Sequence, residues 1–149
     1  LMACSFIDED EILYNKQAIN YLKKCYSSND TNYEPKFLHA CLEYVYQSEE
    51  KALKIFKDLT QANIRPKIKN RTSRPILNIH GEEVFYDGLI VTINDQFGFV
   101  KTSKYTGNIY IHKSAMIDQE DWEALRPGDP LKISICFSFR GPRAKVAIL

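Results

Sequence analysis

A chain of 149 residues, 44% hydrophobic and 26% charged, has enough apolar side chains for one packed domain of average size or two small ones. No apolar run approaches the roughly 18 residues of a membrane span, and no charged-then-apolar leader opens the chain, so neither a membrane nor a secreted protein is expected. The net charge of +1 is unevenly spread: −3 over residues 1–62, +5 over residues 63–79 and −1 over residues 80–149.

Cys4, Cys25, Cys41 and Cys136 form no CxxC pair, and His39, His80 and His112 are scattered. That argues against a zinc site and for reduced thiols, in a cytoplasmic or nuclear protein with no cofactor. The opening "LMAC" reads as a scar or as a cut within a longer chain.

The first half has a helical period. A first helix is expected over about Asp10–Tyr26, using Ile12, Ile19, Leu22 and Tyr26. "EPKFLHACLEYVYQ" has Pro35 in a first-turn position and an apolar set of Phe37, Leu38, Cys41, Leu42 and Val45. "SEEKALKIFKDLTQAN" puts Ala52, Ile55, Phe56 and Leu59 on one face, with Ser48 as N-cap and two glutamates at the positive end of the helix. The very short link between these two predicts an antiparallel hairpin. Arg65, Lys67, Lys69, Arg71 and Arg74 then make a basic linker over residues 65–75.

From about Ile76 alternation replaces the helical period. "VFYDGLIVTI", "FGFVKT", "NIYIH", "PLKISICFSF" and "RAKVAIL" read as five strands, with turns at "NDQ", "KYTGN", "RPGDP" and "RGP". The expected architecture is α+β: a helical module over 1–64, the linker, and a five-stranded barrel of the OB type over 76–149.

Side chains in a strand point alternately to opposite faces. Val100, Ile109 and Ile111 are the natural core set, which places Phe97, Phe99, Tyr110 and His112 together on the outside. Gly98 supports that parity, because a glycine lets backbone or a base lie flat against the strand. Exposed rings side by side suit nucleobases, whose stacking is worth about 1–3 kcal/mol each.

The same stretch resembles the cold-shock domain. "FGFV" is similar to the first RNA-binding motif of that family and "IYIH" to its second, followed by "SAM", "LRPGDPLKISI" and "RGPRAKVAIL" in the family's order over about Asp87–Leu149. The resemblance implies a single-stranded nucleic-acid module, RNA before DNA. It implies base stacking on Phe97, Phe99, Tyr110 and His112, a further base contact or a loop anchor at Trp122, and a strand contact at Arg140. Lys101 and Lys104 join as phosphate contacts by charge. The chain departs from the family at Thr92, where an exposed tryptophan is usual, at Gln96 and at Lys113.

Outside this region, "ALKIFKDLTQANIRP" resembles the second helix and exit of a pentatricopeptide or tetratricopeptide unit. It occurs in one copy, so a generic three-helix packing module is the other reading. Two further functions stand beside nucleic-acid binding. One is a protein-interaction module with a degenerate barrel, docking its partner through the acidic helices. The other is a substrate-guiding fragment of a larger RNA helicase or nuclease, since the chain ends at the last strand. No nucleophile–base pair, metal cluster or phosphate loop marks the chain itself as an enzyme.

Overall fold

The structure, a computed structural model, describes residues 15–27 and 32–149. Residues 10–14 of the expected first helix, with Cys4 and Ile12, lie outside the described residues. The chain divides into two compact units. The first contains the described residues up to Arg71 together with Phe139–Gly141. The second contains Thr72–Ser138 and Pro142–Leu149.

In the first unit, α1 covers residues 15–24, α2 Glu34–Tyr46, α3 Glu49–Gln61 and the short α4 Pro66–Lys69. Ser48 caps α3 as its sequence predicts, its Oγ accepting from the Lys51 amide at 3.2 Å. Phe37 near the start of α2 meets Phe56 late in α3, with ring centroids 6.3 Å apart. Lys36 Nζ lies 3.7 Å from Asp58. Both pairings require the two helices to run antiparallel. Ala52, Phe56 and Leu59 are buried, and Phe139 stacks obliquely on Phe37 at 4.7 Å.

The inner face of α2 is not the one that apolar periodicity selects. Leu38 is half exposed, whereas Phe37, His39, Ala40, Glu43 and Tyr44 are buried. His39 and Glu43 are joined to Tyr26 by a chain of hydrogen bonds. Tyr26 Oη lies 2.6 Å from His39 Nδ1, and His39 Nε2 lies 3.2 Å from Glu43 Oε1. Lys23 Nζ approaches the same carboxylate at 4.0 Å. Burial pushes the imidazole below its ordinary pKa, against the opposing pull of the Glu43 hydrogen bond and charge.

The basic stretch is structured. Lys69 Nζ donates to the Thr60 carbonyl at 2.6 Å, and Arg71 pairs with Glu34 at 2.9 Å. In the second unit, Ser73 and Ile76 run beside the fourth strand, their amides donating to the carbonyls of Phe137 and Ile135.

The second unit is a closed barrel of β1 Tyr86–Ile93, β2 Phe97–Thr102, β3 Ile109–His112, β4 Pro130–Ser138 and β5 Gly141–Ile148. Around the barrel the order is β1-β2-β3-β5-β4, returning to β1. That order is compatible with an OB-like fold. All five strands fall where the alternating pattern predicts them. Ile90, Val100, Ile109, Ile111, Leu131, Ile133 and Ile135 fill the interior. Each such aliphatic side chain contributes about 1.5–3 kcal/mol through burial.

β3 and β5 pair in parallel, the other recorded ladders being antiparallel. A short 3-10 turn, Lys113–Ala115, follows β3, and α5 Asp121–Ala124 lies in the β3–β4 connection. No helix among the described residues is long and apolar enough to cross a membrane.

Candidate nucleic-acid interface

The register of β2 against β3 places Phe97 opposite His112 and Phe99 opposite Tyr110, with Gly98 opposite Ile111 and Val100 opposite Ile109. Val100, Ile109 and Ile111 are fully buried and Phe97 is 39% exposed. Phe99, Tyr110 and His112 are half-buried. The rings therefore lie on the outer face.

Three of them touch. Phe97 stacks on Tyr110 with centroids 5.8 Å apart and planes 25° apart. Phe99 meets Phe97 and Tyr110 edge-on, at 6.3 and 6.0 Å. Mutual contact holds these rings in place.

Gly98 is demanded by the backbone. A Cβ there would lie 2.5 Å from the Thr92 carbonyl oxygen and 3.3 Å from the Ile93 Cα. The close approach occurs where the β1–β2 register shifts between Ile90 and Thr92. Such a bulge turns a strand and re-aims the residues beyond it. Here Val91 is the extra residue, and Thr92 emerges on the outer side opposite Phe99.

The turn before β2 is organised by Asn94. Its Oδ1 accepts from the Gln96 and Phe97 amides, both at 2.9 Å, and its amide donates to the Phe97 carbonyl at 2.9 Å. These bonds fix the first ring of the cluster. Directly across the ladder from Phe97, His112 Nδ1 accepts from the Ser114 amide at 3.1 Å, which sets the imidazole orientation.

Trp122 lies in α5, within the β3–β4 connection. It is 3% exposed, and its Nε1–H donates to the Asn94 carbonyl at 3.0 Å. The ring face is buried and the polar edge is engaged, which is the geometry of a loop anchor.

Lys101 is exposed on β2, in step with Phe97 and Phe99, and Lys104 is exposed in the following connection. Arg140 belongs to the first unit, where its Nε donates to Asn70 Oδ1 at 2.9 Å. Lys113, one of the departures from the family pattern, pairs with Glu123 at 3.2 Å.

Arg143 is the residue that sequence reasoning missed. It lies opposite Tyr110 across the parallel β3–β5 pair, its guanidinium carbon 5.1 Å from the Tyr110 ring centroid. Its proximity to the "RGP" turn was legible. Its register with Tyr110 was not. Thr92, Phe99, Tyr110 and Arg143 thus form one row across β1, β2, β3 and β5. At about 4.8 Å between strands, three steps span roughly 14 Å.

No protein-family model matches the chain, and a search of curated proteins finds no match.

Proposed function

We propose that the barrel binds single-stranded nucleic acid, RNA in preference to DNA, by stacking bases on Phe97, Phe99, Tyr110 and His112. The observation that carries this reading is the ring cluster on the outer face of β2 and β3, assembled over the buried Val100, Ile109 and Ile111. Successive bases stack on such rings whatever their identity, because every base has a π-face, while cations follow the backbone. Lys101 and Lys104 are the cations by charge and exposure. The motif resemblance to the cold-shock domain supports the same conclusion. Thr92 narrows the platform, since a threonine offers a base no ring, so the affinity is expected to be modest. In this reading the described chain is a binding module without chemistry of its own.

The test is direct titration of short U-rich, A-rich and mixed RNA and DNA oligomers with the wild-type protein and with Phe99→Ala. Loss of one stack costs about 1–3 kcal/mol, or roughly 5- to 150-fold in Kd. Stability falls little, because the ring is outside. Unchanged affinity in a folded Phe99→Ala protein refutes the platform.

A further inference from the structure

We infer that Arg143 makes the aromatic row base-selective, favouring a nucleotide whose base carries two adjacent hydrogen-bond acceptors on one edge. Guanine offers O6 and N7, and cytosine offers O2 and N3. Adenine and uracil offer no such pair. The inference rests on the nucleic-acid reading above and deepens it.

The argument begins with placement. Arg143 sits on β5 in register with Tyr110, and its guanidinium lies over that ring. A cation held against a ring face has already given up much of its rotamer freedom, so less is lost when it forms its next contact. The side chain is half-buried within the sheet face rather than hanging from a loop. A base entering the row at Tyr110 therefore meets the guanidinium as well as the ring.

Its donors are also uncommitted. Three other cations on the barrel are engaged: Lys113 with Glu123, Lys132 with Asp87, and Arg126 with the carbonyls of Glu123 and Leu125. Among the described residues Arg143 has no carboxylate and no hydrogen-bond acceptor, only the Tyr110 ring. A guanidinium presents a rigid fork of N–H groups and no acceptor. That fork matches two acceptors side by side, which is why arginine pairs bidentately with guanine O6 and N7. An adenine edge sets an amino donor against the fork, and a uracil edge sets an N–H between its carbonyls. Both leave part of the fork unsatisfied, which is costly in a half-buried place.

The experiment uses uracil hexamers carrying one guanine, one cytosine or one adenine, scanned through the positions, with the wild-type protein, Arg143→Gln and Arg143→Lys. The wild type is expected to bind the best guanine or cytosine hexamer about 5- to 100-fold more tightly than all-uracil or adenine hexamers. The guanine and cytosine arms show which edge is read. Both variants are expected to collapse that ratio towards one, Arg143→Lys included, because an ammonium keeps the charge but not the fork.

Ratios taken within one protein are independent of small changes in its folding. A ranking that survives Arg143→Gln overturns the inference. So does uniform weakening of every hexamer with a fall of about 0.7 in the salt slope, the mark of a phosphate contact. Phe99→Ala run in parallel separates the two claims. If it weakens all hexamers while the Arg143 variants keep the ranking, only this inference fails. If the wild type binds no hexamer, both fail.

Discussion

Replacing Trp122 with phenylalanine separates an anchor from a base contact. The indole is 3% exposed and its N–H is bonded to the Asn94 carbonyl at 3.0 Å. Phenylalanine keeps a ring in the site but deletes that bond and leaves a small void. Asn94 itself is exposed, so water can replace the lost donor, and the hydrogen-bond loss falls near the low end, about 1 kcal/mol. The unfilled volume adds a similar amount, for a total of about 2 kcal/mol. With a urea m-value of about 2 kcal/mol/M, the midpoint should fall by roughly 1 M. Trp122→Ala should cost about 3–5 kcal/mol.

Far-UV circular dichroism and tyrosine fluorescence follow the unfolding, since the variant carries no tryptophan. Oligonucleotide affinity is measured on the same samples without denaturant. The Asn94 side-chain bonds to Gln96 and Phe97 do not involve the indole, so Phe97 stays in place and the affinity should hold. A tenfold or larger loss of affinity with an unmoved urea midpoint would refute this. It would mean that the indole meets a base.

Thr92→Trp adds a ring next to Phe99 at the β1 end of the row and should tighten binding to RNA and DNA alike by at most about 1–3 kcal/mol. Equal affinity in titrations at one salt concentration would mean that the strand does not cross β1. Gly98→Ala drives a methyl to 2.5 Å from the Thr92 carbonyl, so β1 or β2 must shift. A loss of about 1–3 kcal/mol is expected in thermal or urea unfolding, and an unchanged melt would count against the close approach. His39 titrates with a pKa lowered by burial, so the unfolded chain binds its proton more readily than the folded one. Its contribution to stability is present above the ordinary histidine pKa of about 6.5 and is lost as the pH falls below it. Urea midpoints at pH 5 and 7.5 should differ less in His39→Gln than in the wild type. An equal difference in both proteins would remove His39 from the account.

Much of the barrel is written in local pattern. Val100, Ile109 and Ile111 alternate with Phe97, Phe99, Tyr110 and His112, and one face had to be core, so the parity of the rings follows from the alternation together with the aliphatic character of one face. The α3 face and its Ser48 cap are equally local, because spacing and first-turn chemistry act within a few residues. The α2 face is a different case. Apolar spacing selects Leu38, but the Tyr26–His39–Glu43 chain makes a polar pair buriable, and its members are up to 17 residues apart. The bulge that turns Thr92 towards Phe99 depends on how β1 bends over Gly98. Trp122 and Asn94 are separated by 28 residues and meet through a single indole bond. Arg143 covers Tyr110 because β5 closes the barrel in parallel against β3. Alternation specifies which side of a strand a residue faces, since it is a property of the backbone over two residues. Which residue of another strand stands beside it is decided by register, and register belongs to the closed sheet as a whole.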